Sequence, residues 1–396
     1  MTQEIEDTLE QYAKDGTPIT KLSVVGYSLG GLVARYTIGL LHSRGWFEKV
    51  EPVNFTTFAT PHLGVRTPVL GYHHTLWNLL GSRTLSMSGR QLFTIDSFRN
   101  TGRPLLSLLA DPSSIFIRAL SRFKVRSLYA NIVNDRTAPY YTTSISRVDP
   151  FTKGVSDLRL NYVPAYSDTV LSVAAPILPL DHATGIPPKA HSFLQRLGRT
   201  TSTILRRLPT ILAFIVFIPL GVVVYLIASI IQSFRSSQRI RLHEAGKAGV
   251  GIGKYRIPLL IEDVQCAMEE VLEDMSSPPA SAHPNSHAQE SRDYSTEQNH
   301  HRSSSSASTT DMESGNKDSI DIKGNPSEYP ELALSPEQFA MIDALHAEDV
   351  KFIKHAVHIQ HDHHSHAAII VRRGEKRGKG EGREVVRYWL EKEFVR

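Results

Sequence analysis

The chain predicts an α/β fold, a mostly parallel sheet flanked by helices, on three observations. Short apolar or β-branched runs alternate with stretches whose apolar residues recur every three or four positions. Two of those runs, 53–60 (VNFTTFAT) and 125–135 (VRSLYANIVND), read as parallel strands buried on both faces. Within 21–36 (KLSVVGYSLGGLVARY), the period changes from that of a strand to that of a helix across Gly26-Tyr27-Ser28-Leu29-Gly30.

That last stretch carries the chemistry. Leu22, Val24 and Val25 read as a buried strand, and Leu32, Val33, Tyr36 and Leu40 as one face of the following helix. Ser28 falls on the turn between them, the arrangement of a Gly-x-Ser-x-Gly nucleophile elbow. So tight a turn calls for glycine at 26 and 30, where a Cβ would meet neighbouring backbone. The hydroxyl then stands at the positive end of a helix, and the N–H of Leu29 can donate to the oxyanion formed when an ester carbonyl is attacked. The competing reading is a glycine-rich strand-to-helix turn whose serine only caps the helix.

Composition narrows the classes. A chain of 396 residues, 41% hydrophobic and 21% charged, can hold one large α/β domain or two small ones. The single cysteine, Cys266, excludes an internal disulfide and suits a reducing compartment. The first 16 residues are acidic and amphipathic, without the apolar core of a secretion signal. A net charge of +4 with no aromatics among the basic residues argues against nucleic acid, and the Gly-rich run 372–383 reads as a solvated loop or a contact for anionic lipid.

In chain order, Ile5, Leu9 and Tyr12 share a helical face over 2–15, with Thr2 as cap and Gly16 and Pro18 as terminators. The elbow helix should end near 42–45. Residues 61–64 (PHLG) follow a strand at the carboxyl edge of the sheet, where open α/β folds bind ligands. Residues 66–123, with Trp77, Leu79, Leu80, Leu105, Leu106, Leu108, Ile115 and Ile117 at helical spacing, form either a cap over the site or further packing helices. Asp135, at the carboxyl tip of its strand, stands where the acid of a Ser–Asp–His chain order belongs, or else caps a turn.

Residues 211–231 carry no charge over 21 positions, about 31 Å of helix and enough to cross a bilayer once. Arginines flank both ends, so charge asymmetry chooses no orientation. A true span would separate Ser28 from every candidate histidine that follows it, whereas Pro219 and Gly221 permit a hairpin anchored in one leaflet; a fully buried core helix is the remaining reading. Residues 254–272 suggest a helix starting no earlier than Pro258. The Ser/Pro-rich segment 276–330 cannot bury enough apolar area to fold and is expected to be disordered. Order returns with a helix from Ser335-Pro336 to about 346, a strand over 351–360, a histidine-bearing loop, and a last helix around 384–394. Among these histidines His366 is favoured, because it adjoins the apolar run 367–371; His364 and His361 are the alternatives. A metal site lacks a matched carboxylate or cysteine set. The expected organisation is 1–190 (first part of the core), 191–275 (membrane-associated insertion), 276–330 (disordered insertion) and 331–396 (last part of the core).

The segments GYSLGGLVARY, FATPHLG, YANIVNDRTAPYYT and HSHAAIIVR, in this order, resemble the fungal putative serine esterase family of lipase-like α/β-hydrolases, whose members include a lipid-droplet phospholipase. The resemblance implies Ser28 as nucleophile, Asp135 as acid and His366 as base. It further implies hydrolysis of fatty-acyl esters in glycerolipids or phospholipids, without metal or cofactor, at a membrane or lipid-droplet surface inside the cell and facing the cytosol. In that fold several strands and a loop bearing a second oxyanion donor precede the nucleophile, whereas 27 residues precede Ser28. An N-terminally truncated α/β-hydrolase is the resulting expectation.

Overall fold

The computed structural model describes residues 1–68, 87–99, 101–179, 329–372 and 380–396, with scattered positions between 224 and 245. Helix α1 (Thr2–Lys14) leads to strand β1 (Lys21–Tyr27), helix α2 (Leu29–Ser43), strand β2 (Glu51–Phe58) and strand β3 (Val125–Asn131). Short strands β4 (Arg159–Leu160) and β5 (Ile177–Leu178) pair antiparallel, and β6 (Ile353–Val357) returns to the main sheet. That sheet runs β1-β2-β3-β6 with every pairing parallel. Register sets Gly26 beside Thr57, Thr57 beside Leu128, and Asn131 beside Val357, so the carboxyl ends of all four strands meet at one edge.

Burial follows position in the sheet. Strand β2, flanked on both sides, is buried from Pro52 to Phe58. Among the described residues strand β1 has a paired neighbour on one side only, and it alternates: Val24 and Gly26 are buried while Val25 is 47% exposed. The expectation of a buried run Leu22, Val24 and Val25 is therefore corrected: Val24 is buried, Leu22 partly buried and Val25 exposed. On one side of the sheet Phe55, Phe123 and Phe352 pack edge to face. On the other, Phe58 stacks on Tyr129 at 4.7 Å and Tyr129 on His355 at 4.5 Å.

Helix α2 buries Gly31, Leu32, Ala34, Arg35, Ile38 and Leu41, while Val33, expected on that face, is 44% exposed. Helices Leu105–Leu109 and Ile115–Ser121 supply Leu106, Leu108 and Ile117 to the same core, as packing helices would. Arg35 Nη2 donates to the Leu109 carbonyl at 2.7 Å and ties α2 to the first of them. Trp77, Leu79 and Leu80 lie outside the described residues. Met1, not Thr2, occupies the cap position of α1, and Tyr12 is exposed. Helix Pro336–Leu345 starts with a capping box in which Ser335 and Gln338 satisfy each other's backbone N–H groups. The last helix begins at Glu381, earlier than the sequence suggested, because Gly380 adopts a left-handed φ of 79° and turns the chain there.

Residues 211–223, 254–272 and 276–328 lie outside the described residues. Among the described residues no helix is long and apolar enough to cross a membrane.

Two glycines let α2 approach the sheet, and they are not both the expected pair. A Cβ on Gly26 would overlap Gly31 Cα, and one on Gly31 would overlap the Thr60 hydroxyl. Gly30 faces open space, so the steric demand assigned to it belongs to Gly31. Gly26→Ala and Gly31→Ala are each expected to lose about 1–3 kcal/mol in urea unfolding, the usual cost of overpacking, whereas Gly30→Ala should stay within about 1 kcal/mol of wild type. A Gly26→Ala chain as stable as wild type would contradict this.

Burial raises the Asp149 carboxyl to about 6, although its Oδ1 accepts the Phe151 N–H at 3.0 Å. The folded state thus holds this proton more tightly than the unfolded chain, and the stability it contributes at low pH is lost as pH rises from about 4 through about 6. Asp149→Asn should therefore unfold at higher urea than wild type at pH 7.5, by about 1–2 kcal/mol, with the gap closing as pH is lowered toward 4.5.

Candidate active site

Ser28 sits between β1 and α2 with φ 53° and ψ −129°, a backbone conformation that side-chain-bearing residues rarely adopt and that costs of order 1–3 kcal/mol. The surroundings hold it there. Its N–H donates to the Phe58 carbonyl at 2.9 Å, and its carbonyl accepts from Gly31 N at 3.1 Å. The bend lifts Oγ clear of the sheet edge, at the N-terminal end of α2. Leu29 opens that helix, so its N–H has no acceptor within the helix.

Asp135 lies just beyond the carboxyl end of β3, after Asn134, whose φ of 62° reverses the chain. Its side chain is 2% exposed and carries a full set of hydrogen bonds. Oδ1 accepts the N–H groups of Thr137 at 3.0 Å and Ala138 at 2.8 Å, and Oδ2 accepts Asn131 Nδ2 at 3.0 Å. The turn-capping role weighed from sequence and a position beside histidine are thus both present in one carboxylate. Oδ2 also lies 2.9 Å from His366 Nδ1.

His366 belongs to the short helix Ser365–Ala368, which follows β6 and a turn. Buried Ser365 donates its hydroxyl to the Val133 carbonyl at 2.8 Å, pinning this helix to the loop that bears Asp135. His366 Nε2 lies 2.9 Å from Ser28 Oγ, and the imidazole is 15% exposed. An ionised carboxylate can only accept, so Nδ1 carries the proton and Nε2 is left to accept from the Ser28 hydroxyl. Tyr27 supports the ring from the other side: its hydroxyl donates to the His366 carbonyl at 2.9 Å, and its ring lies 5.3 Å from the imidazole.

The other histidines go elsewhere. His361 Nδ1 faces Glu381 Oε1 at 2.9 Å, and His364 is exposed on the rim of the site. His62, in the segment expected to bind ligand at the sheet edge, is fully buried, with Nε2 3.0 Å from Thr57 Oγ1. Burial, with Arg35 nearby, holds its imidazole well below the ordinary histidine range and keeps it neutral. Residues 61–64 are therefore a packing segment, because Gly64 closes directly on the Leu92 carbonyl. Sequence reasoning did not assign the supports of the site: Tyr27, Asn131, Gly31 and Ser365. Gly31 was signalled by the doubled glycine; Ser365 left no signal at all.

Beside the imidazole opens a cleft of about 340 Å³ lined by Tyr27, Asn134, Arg136, His364, His366 and Arg372. A larger one, about 490 Å³, lies at the opposite end of β2, where Lys124 pairs with Glu51 and Arg122 with Glu48, far from these side chains.

Residues 1–147 match the family model described as putative serine esterase (DUF676), a span that includes Ser28 and Asp135 but not His366. The chain is 38% identical over 134 residues to putative lipase YDL109C of Saccharomyces cerevisiae, an alignment covering 33% of this chain and 20% of the yeast protein. It is 38% identical over 133 residues to putative lipase ROG1 of the same yeast, covering 33% and 18%. With putative lipase C4A8.10 of Schizosaccharomyces pombe it shares 37% over 128 residues, covering 31% and 16%. The matched part thus spans about a fifth or less of these relatives. No solved structure matches the chain. The stretch that places a serine on a strained strand-to-helix turn and an aspartate beyond the third strand is thus the part of the chain that is similar to the putative serine esterase family.

Proposed function

We propose that this protein is a serine hydrolase of the lipase type, cleaving fatty-acyl esters of glycerolipids or phospholipids. The observation that carries the reading is the unbroken chain Asp135 Oδ2, His366 Nδ1, His366 Nε2, Ser28 Oγ, with both links at 2.9 Å. Ser28 Oγ attacks the acyl carbonyl while His366 Nε2 takes its proton, and Asp135 holds the tautomer and stabilises the imidazolium. The Leu29 N–H, at the positive end of α2, donates to the oxyanion. The imidazolium then protonates the leaving alcohol, and water releases the fatty acid by the same steps in reverse. Neither metal nor organic cofactor enters this sequence.

Action at a membrane or lipid-droplet surface, on the cytosolic side, is part of the proposal. Helical residues between 224 and 242 support it: Ile227, Ile230, Phe234 and Leu242 are all exposed, an apolar surface that lipid would cover.

A fluorophosphonate probe tests the catalytic reading. Wild type should label and Ser28→Ala should not, while Asp135→Asn, folded but with the wrong tautomer favoured, should label roughly 10³–10⁴-fold more slowly. Equal labelling of wild type and Ser28→Ala would rule the reading out. A folded wild-type chain that takes no label would favour a non-catalytic lipid-surface protein instead.

A further inference from the structure

We propose that Arg136 and Arg372 form an anion subsite that receives a phosphate carried by the leaving alcohol of the substrate. The inference rests on the catalytic reading above and adds a substrate class to it. The cleft beside His366 is the wrong surface for an acyl chain: among the described residues its lining is guanidinium, imidazole, amide, hydroxyl and phenol, with Ala367 the one aliphatic side chain. Two cations face that space, and among the described residues neither forms an ion pair.

Among the described residues, the carboxylates of the neighbouring turns already accept hydrogen bonds. Asp135 is committed to His366, Asn131 and two backbone N–H groups, and Asp362 Oδ1 accepts the N–H of His364. The guanidinium of Arg372 lies over the Tyr27 ring at 5.8 Å, and Tyr27 is hydrogen-bonded to His366. Arg136 directly follows Asp135 in its turn. Arg372 thus rests on one of the triad's own supports, and Arg136 lines the same cleft from the turn that bears Asp135. Guanidinium groups bind phosphate through paired N–H donors, a geometry that lysine does not reproduce.

The reaction assigns the side of the substrate. In acylation the Ser28 Oγ–C bond forms as the proton passes to His366 Nε2. The carbonyl carbon–oxygen bond to the alcohol then breaks, and the same proton goes to that departing oxygen. The leaving oxygen must therefore lie next to Nε2, and whatever it carries extends into the cleft that His366 lines. A glycerol bearing a phosphate fits such a cleft; a bare acyl tail does not.

A matched pair of substrates isolates the phosphate. Monoacylglycerol and the 1-acylglycerol 3-phosphate of the same chain length share the scissile ester and differ only in that group. In neutral detergent micelles, wild type should favour the phosphate-bearing ester at least roughly tenfold in kcat/KM, chiefly through KM. In Arg136→Gln/Arg372→Gln this ratio should collapse toward one, and Arg136→Lys/Arg372→Lys should restore part of it. An unchanged ratio in the glutamine variant, or no preference in wild type, overturns the proposal. If instead both esters lose turnover together, and only in micelles doped with anionic lipid, the arginines serve the surface rather than the substrate, which also overturns it. Binding of glycerol 3-phosphate to Ser28→Ala, followed by calorimetry, reads the subsite without catalysis. That affinity should fall at least roughly tenfold on adding the two glutamines, and equal affinities would refute the subsite even if the probe result above had already decided against catalysis.

Discussion

The close contact between helix α2 and the sheet is the constraint on which the rest depends. With no side chain at Gly26 or Gly31, the helix starts directly against β1 and the Thr60 hydroxyl, and only this closeness forces the intervening Ser28 into a left-handed backbone. Its strain is sustained by the packing of α2, whose Leu32, Ile38 and Leu41 join Phe47, Phe55 and Phe116 in one core. A looser elbow would relax the turn and turn Oγ back toward the sheet. The hydrogen bonds to Ser28 are then a consequence of core packing, and the core is built largely from residues that touch no substrate.

A second constraint is the pairing of β6 with β3. Asp135 and His366 stand 231 positions apart in the chain, yet each follows its strand at the same sheet edge because Asn131 and Val357 are in register. Ser365 and Tyr27 then fix the imidazole from two directions, one through the Val133 carbonyl and one through the backbone of His366 itself. Each partner restricts a different freedom of the ring, so the histidine is held by backbone geometry as well as by the aspartate.

The parallel order of the fold was legible in the sequence because β2 and β3 fall in short runs rich in apolar and β-branched residues and a change of period at Ser28 cannot be mistaken for either element alone. What the sequence could not convey was which side of an element would be covered. Val25 and Val33 are as apolar as their buried neighbours, but β1 alternates buried and exposed positions and α2 turns Val33 outward. Residues 61–64 looked like a ligand-binding edge because of where they fall after β2, yet His62 is buried and Gly64 meets the Leu92 carbonyl from a later segment. Gly30 and Gly31 are indistinguishable as letters; only the position of Thr60, on another strand's end, decides which one must lack a side chain. The candidate site was legible at its chemically distinctive residues, whereas its supports, Tyr27, Asn131 and Ser365, are common residues whose roles depend on partners distant in the chain or in the fold.

The β3–β6 pairing also bears on how such a chain can change over evolutionary time. Once two strands fix each other's register, the stretch joining them is free to grow: for a flexible connection each doubling in length costs only about 0.6 kcal/mol of closure entropy. Natural selection can therefore accept new sequence between Asp135 and His366 with little penalty to the folded core. The nucleophile and acid can be inherited as one compact block while the base arrives on a separate one, which leaves the intervening region open to acquiring its own role.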